Sequence, residues 1–255
     1  MSSYGFLAGS YDTLTRDVDY EDFADFLEKL LKQHKCPEMK TVLDLACGTG
    51  TLTCLMAERG YEMLGVDLSE DMLAEAAEKA RELDGAEPPI FLHQAMEKLD
   101  LYGTIDGCVS SLDSINYVTR PAALRRAFAR VHLFLMPGGL FLFDVNTPEK
   151  LRSMDGQVFL DETEDTYCVW RGEFSEKRHI CSYFMDVFRK DGKHWVRGEE
   201  LHQEYAYTPE ELTGYLREAG FSHIKQYGDR KLRAPNDSDE RIFFLAQKDL
   251  SRKDL

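Results

Sequence analysis

No run of apolar residues in the chain approaches the roughly 18 to 20 that a membrane-spanning helix requires, which excludes a helical membrane protein. The opening residues, MSSYGFLAGSYDTL, lack the basic start and long apolar segment of a secretory signal, so a cytoplasmic location is expected. Six cysteines (Cys36, Cys47, Cys54, Cys108, Cys168 and Cys181) are scattered without a C-x-x-C pair. That pattern excludes a disulfide frame or a zinc ribbon and reads as reduced, mostly buried thiols. A metal site would have to be assembled from distant histidines, and none is expected. Runs rich in Lys and Arg are missing too, and the formal net charge is −15. Nucleic-acid binding draws most of its affinity from basic groups on phosphates, so this balance argues against such a partner. A small-molecule or cationic substrate suits it better. Repeats and low-complexity tracts are absent, and only the final SRKDL reads as frayed.

What is present is an ordinary globular composition, 43% hydrophobic and 30% charged, in a chain of 255 residues. That length suits one large domain with an insertion. Up to about residue 35 the chain reads as helical, because Phe23, Phe26, Leu27, Leu30 and Leu31 recur at three-and-four spacing and Pro37 marks the exit. From 41 to about 147 strand-like and helix-like segments alternate. The strands are expected at 41–46, 62–67, 89–93, 105–110 and 139–145, and the helices at 51–59, 70–83 and 121–134. Such alternation predicts an α/β fold with a parallel, doubly wound sheet. Residues 157–206 are instead rich in Val, Phe, Tyr, Trp and Thr, with Asp191-Gly192 as a hairpin signal between two long runs. Thr208, Pro209 and Glu211 then form a capping box that opens a helix, and strands resume at 222–227 and 241–247. A β-rich insertion over 148–206 therefore interrupts an α/β domain made of 1–147 and 207–255, with 1–36 as a helical cap.

The stretch VLDLACGTGTLT, residues 42–53, sets a carboxylate, Asp44, inside an apolar strand just before a loop of small residues. A strand ending in such a turn before a helix presents backbone N–H groups, and Gly48 and Gly50 let a ligand come close. Asp67 closes the next strand. In a doubly wound sheet both acids fall at the carboxyl edge, where ligands bind, and an aspartate there can accept both hydroxyls of a ribose. Dinucleotide sites share these features but read G-x-G-x-x-G, and here the third glycine is replaced by Thr53. Asp44 would also sit badly beside a pyrophosphate and suits an ammonium group. Ribose plus ammonium without phosphate points to S-adenosylmethionine.

The run from Asp44 to Gly50 (DLACGTG) resembles the signature loop of class I S-adenosylmethionine-dependent methyltransferases. The run from Gly65 to Leu73 (GVDLSEDML) resembles that family's second strand and following helix, and Leu135 to Asp144 (LMPGGLFLFD) its fifth strand. At the amino end, YDTL at 11–14 and DVDY at 17–20 resemble the helical cap of a bacterial small-molecule branch that includes sugar N,N-dimethyltransferases. The resemblance implies a seven-stranded, mostly parallel Rossmann-like sheet and a substrate-covering β insertion between strands five and six. It also implies roles. Asp44 would hold the methionine amino group. Ala46, Gly48, Thr49 and Gly50 would pass along the methionine and ribose. Asp67 would bind the ribose hydroxyls, and Leu68 and Met72 would line an adenine face. Ser111 and Leu112 would approach the methionine end, with Tyr11 folding over from the cap. The family's aspartate before Met96 is missing, since this chain reads Gln94-Ala95-Met96-Glu97. Backbone contacts from Met96 and Glu97 are then what remains for the adenine.

On the acceptor side the candidates are Asn116, Tyr117, Asn146, His202 and Tyr205. Asn116 and Tyr117 could equally cap the turn before Pro121. Methyl transfer from a sulfonium is an in-line displacement in which the protein mainly aligns the reactants, so no strong catalytic signature need exist. A general base, where one is needed, would come from Asp113, Asp144, His202 or a tyrosine of the insertion. The leading expectation is a methyltransferase acting on nitrogen or oxygen of a small molecule, as a monomer or homodimer, with S-adenosylhomocysteine as its product. The alternatives are an RNA or protein methyltransferase and a non-catalytic cofactor-binding module. The N/D-P-P-Y/F run of base-modifying enzymes is absent after strand four, where Leu112-Asp113-Ser114-Ile115 stands.

Overall fold

The computed structural model describes residues 6–34 and 39–250, apart from the side chains of Ser10 and Thr13. The expected helix exit at Pro37 and the SRKDL tail lie outside the described residues. The cap comprises α1 (Ala8–Leu14) and α2 (Tyr20–Gln33). In α2, Asp19 accepts the Asp22 amide as N-cap, and Phe23, Phe26, Leu27, Leu30 and Leu31 form the buried stripe that the spacing predicted.

Strand β1 (Thr41–Leu45) leads into α3 (Thr51–Glu58), β2 (Glu62–Asp67) into α4 (Glu70–Arg81), and β3 (Ile90–His93) into a short 3₁₀ turn at Met96–Lys98. After these come β4 (Ile105–Ser110), α5 (Pro121–Phe134), β5 (Leu135–Asn146) and α6 (Pro148–Ser153). Strands β6 (Val158–Glu162), β7 (Thr166–Ser175), β8 (Ile180–Asp191) and β9 (His194–Tyr205) follow. The chain closes with α7 (Pro209–Ala219), β10 (Phe221–Gly228) and β11 (Arg241–Lys248).

The main sheet has seven strands in the order β10-β11-β5-β4-β1-β2-β3, with β11 antiparallel to both its neighbours and the other adjacent pairs parallel. Helices cover both faces, so a central strand is apolar throughout. In β5, Leu140 and Leu142 pack toward α2 and α3, while Phe141 and Phe143 pack toward α5 and α7. The chain reverses its direction of sheet-building between β1 and β4, and the carboxyl ends of those strands flank the crevice such a switch creates.

The second sheet, β6-β7-β8-β9, is antiparallel throughout, with Gly192 at φ +60° in the turn that Asp191-Gly192 predicted. Cys168 and Val187 on one face pack with Leu7, and Phe6, Tyr11 and Leu14 join them, so the cap lies against this sheet. Two features differ from expectation. Strand β5 begins at Leu135, straight out of α5, with an irregular stretch around Pro137 before regular pairing resumes at Leu140. Helix α6 lay unseen in the sequence; it is a six-residue helix capped by Thr147, whose hydroxyl accepts the Lys150 amide, with Pro148 in the first turn.

Candidate functional site

A cavity of about 420 Å³ opens at the carboxyl ends of β1, β2 and β4, beneath the cap. Every cofactor residue expected from the resemblance lies on its wall except Gly50. That glycine has φ +73°, and a Cβ there would stand 2.8 Å from Ala76 Cβ. Its lack of a side chain serves the close approach of α4 to the start of α3.

Asp44 is the most unusual group on the wall. Burial among Leu43 and Leu45 lifts its pKa from 3.8 to about 7, and the nearby charge of Asp67 adds to the rise. Thr53 Oγ1 donates to Asp44 Oδ2 at 2.6 Å and works the other way. Among the described residues this is its single hydrogen bond. A cation arriving in the cavity would find a carboxyl whose charged form still lacks compensation.

The loop that follows is shaped by its backbone. Ala46 stands at φ +67°, a left-handed conformation rare outside glycine. Both the Ala46 and Cys47 amides donate to Val66 O, at 2.7 and 3.0 Å. Gly48, at φ +54°, turns its amide to Asp67 Oδ2 at 2.9 Å, and Ser69 N reaches Asp67 Oδ1 at 2.8 Å. With the Leu68 amide beside these two, the carboxylate of Asp67 still has acceptor capacity left, which is what a ribose hydroxyl would use. Burial raises the Asp67 pKa, while these amides favour its charged form. Nearby, Leu68 is exposed and Met72 buried on the same wall. The Gln94 side chain is committed to its own turn, bonding Asp100 N at 2.8 Å and Asp100 O at 3.0 Å. Ala95 therefore leaves this corner with a methyl where a carboxylate would stand in the resembled family. These residues fit a nucleoside bearing an ammonium group.

Beyond β4, Leu112 and Asp113 both have positive φ, +56° and +53°. Asp144 holds them there, its two oxygens accepting Leu112 N at 2.8 Å and Asp113 N at 2.9 Å. Arg241 pairs with Asp144 and, at 2.7 Å, with Asp113. Burial pushes Asp113 up to about 6 against the pull of Arg241. Asp144, fully buried and triply engaged, is a scaffold for this loop rather than a candidate base.

Of the five acceptor-side candidates, Tyr117 alone lines the cavity. Asn116 is fully buried and ties three segments together. Its Nδ2 donates to Asn146 O at 3.2 Å and Tyr205 O at 3.0 Å, and its Oδ1 accepts Asn146 N at 3.1 Å. Asn146 Nδ2 donates to Glu204 Oε2 at 3.0 Å. Tyr205 packs on Tyr207, ring centroids 4.4 Å apart, against the core of the main sheet. His202 lies edge-on to Tyr117, with centroids 6.0 Å apart, and its Nε2 is 2.7 Å from Glu200 Oε2.

Sequence reasoning passed over Glu204 and Lys79, and it touched Tyr183 and Asp12 only as one of the insertion's tyrosines and as part of the YDTL run. Burial first, then the charge of Asp113, pushes Glu204 up to about 8, and the Tyr183 hydroxyl hydrogen-bonds it. A signal was present, since Glu200, His202 and Glu204 alternate along β9 and so share a face.

A family model described as a methyltransferase domain matches residues 42–139. A Geobacillus (strain WCH70) protein, named as a candidate methyltransferase, is 32% identical over 249 residues, covering 96% of this chain and all of that one. The amino-sugar enzyme dTDP-3-amino-3,4,6-trideoxy-alpha-D-glucopyranose N,N-dimethyltransferase of Streptomyces venezuelae is 31% identical over 132 residues, 51% of this chain and 52% of its own. A crystal structure of an S-adenosylmethionine-dependent methyltransferase from Clostridium acetobutylicum superposes with a TM-score of 0.86 at 30% identity, covering 96% of this chain and 99% of that one. Likeness over nearly the whole of both chains, joined to a switch-point cavity with an acid at each of two strand ends, places this chain in the family of S-adenosylmethionine-dependent methyltransferases.

Proposed function

We propose that the chain transfers a methyl group from S-adenosylmethionine to a nitrogen or oxygen of a small molecule. The observation that carries this reading is the pairing of Asp44 and Asp67 on one cavity, each retaining hydrogen-bonding capacity toward it. Asp44 would hold the amino group and Asp67 the ribose hydroxyls. Leu68, Met72 and the backbone of Met96 and Glu97 would take the adenine, with Ser111 and Leu112 near the methionine and Tyr11 closing the top. When bound, the cofactor supplies an electrophilic methyl on a sulfonium. The chain's own contribution is to align an acceptor with it and to exclude water.

Residues 148–206 would cover the acceptor. In their sheet His202 lies edge-on to Tyr117, Tyr183 is paired with His202, and Glu204 is hydrogen-bonded to Tyr183, a group of neutral and acidic side chains that would suit an amine better than a phosphate. The half-length likeness to an amino-sugar dimethyltransferase agrees with such an acceptor, and the net charge of −15 weighs against nucleic acid. Calorimetric titration of S-adenosylmethionine and S-adenosylhomocysteine into wild type, Asp44→Ala and Asp67→Ala tests the cofactor site. Micromolar binding in wild type and its loss in both variants is expected, and equal binding by all three would remove the assignment. A screen of small amines and hydroxyl compounds for cofactor turnover then tests the acceptor class, and turnover only with RNA or a peptide would refute it.

A further inference from the structure

Helix α1 is seven residues long, with no side-chain N-cap and no acidic residue in its first turn. A helix this short cannot hold itself in water, so its position over the cavity depends on ties to the rest of the molecule. Asp12 supplies them on the cofactor side. Its Oδ1 accepts Thr49 Oγ1 at 2.6 Å and Thr51 Oγ1 at 3.3 Å. Its Oδ2 takes Lys79 Nζ at 2.7 Å, and Lys79 also bonds Thr51 Oγ1. One carboxylate thus joins the cap, the signature loop and α4. Tyr11, Thr49 and Thr51 all line the cavity. The cluster itself is partly open to solvent, with Asp12 47% and Lys79 28% exposed. A tie that only built the core would be buried; this one sits where water can replace it.

We propose that Asp12 is a positioning residue for the cofactor. With Lys79 it forms a latch that holds Tyr11 down over the cavity and that opens for the cofactor to enter and leave. The inference rests on the reading that this cavity takes S-adenosylmethionine. On the far side the cap is fastened to the second sheet through Glu200, whose Oε1 accepts the Phe6 and Leu7 amides at 2.8 Å each. The latch therefore controls one edge of a cap that stays attached at the other. Breaking it lowers the closed population, so the cofactor's residence time shortens, and association, which begins from the open cap, is not slowed and rises to the extent that the closed cap had blocked entry.

The test is stopped-flow binding of S-adenosylhomocysteine to wild type, Asp12→Ala, Lys79→Met, the double variant and Lys79→Arg. Both single variants are expected to raise the dissociation rate about tenfold and to leave association equal to or faster than in wild type. The double variant is expected to match the singles, because both remove one coupled unit, and Lys79→Arg to restore much of the residence time. In ligand-free protein, amide exchange across 8–14 is expected to quicken in the single variants while the global unfolding midpoint holds. Unchanged dissociation rates in both singles, or effects that multiply in the double variant, would overturn the latch. Failure of wild type to bind S-adenosylhomocysteine would instead overturn the cofactor reading on which it rests.

Discussion

Asp44 offers a sharp test, because its charge state should change when the cofactor arrives. Burial raises its pKa from 3.8 to about 7. That rise amounts to about 4 kcal/mol against ionisation in the ligand-free protein. The native state then keeps a proton that the unfolded chain releases above its ordinary pKa. Stability should therefore decline as pH rises from about 4 to about 7 and level off beyond. An ammonium group beside the carboxyl reverses the balance by favouring the charged form. At pH 6 about nine in ten Asp44 carboxyls are protonated before binding, so binding should expel close to ~0.9 proton per site. Titration of S-adenosylhomocysteine at pH 6, in two buffers of different ionisation heat, measures that number directly. Asp44→Asn keeps an acceptor for Thr53 but cannot titrate, so its binding heat should not depend on the buffer. Its affinity should fall by about 1.5–3 kcal/mol, the value of a hydrogen bond to a charged group. Equal heats in both buffers for wild type, or continued proton release by the Asn variant, would refute the placement of an ammonium at Asp44.

The two loop glycines should separate cleanly. Gly50→Ala sets a Cβ 2.8 Å from Ala76 Cβ at φ +73° and should cost about 2–3 kcal/mol in chemical denaturation. Gly48→Ala meets nothing within 4 Å, so it should cost only the left-handed strain of about 1–2 kcal/mol while weakening S-adenosylhomocysteine binding far more. Asn116→Ala removes a partner from the Asn146 amide and from the Asn146 and Tyr205 carbonyls, the last of which keeps the Tyr207 amide, and should lower stability by about 1–3 kcal/mol, with cofactor affinity retained in the folded fraction. Arg241→Met strands Asp113 and Asp144 in the interior and should destabilise by about 3–5 kcal/mol. Asp113, already raised to about 6 by burial, loses the pull of Arg241 and ionises less readily still, so this loss should deepen between pH 6 and pH 8, as denaturation midpoints across that range would show.

What the sequence made legible was local in the chain. The strand-turn-helix from Thr41 to Glu58, the acid closing β2 and the capping box at Thr208 each depend on residues within a few positions of one another. Composition and spacing carry such units directly. Partners that meet only in the folded state were out of reach. Asn116 joins the end of β5 to the end of β9, 30 and 89 positions away, and no pattern around it hints at either. Asp12 finds Thr49 and Lys79 at separations of 37 and 67. The same limit hid the second demand on Gly50, whose spacing suggested a ligand and whose neighbour Ala76 belongs to a second helix. The face that Tyr205 presents was out of reach for a related reason, since it is set by packing with Tyr207.

The missing third glycine links these scales. In G-x-G-x-x-G loops that residue lets the helix pack closely on its strand. Here Gly50 permits the close approach to α4, and the third position is free to carry a side chain. It carries Thr53, fully buried, whose hydroxyl donates to Asp44 at 2.6 Å. The departure from the dinucleotide pattern and the acid in the strand are thus one device, a carboxyl buried enough to resist ionisation and hydrogen-bonded enough to allow it. Thr53→Val keeps the volume and removes the donor. Among the described residues it would leave Asp44 without a hydrogen bond, so the carboxyl's pKa should climb further above 7. Proton release on binding S-adenosylhomocysteine should then persist at pH values where wild type no longer shows it. Affinity at neutral pH should drop about tenfold, since more of the binding energy goes to ionising Asp44. A Val variant whose proton release fades at the same pH as wild type would mean that Thr53 packs the helix and nothing more.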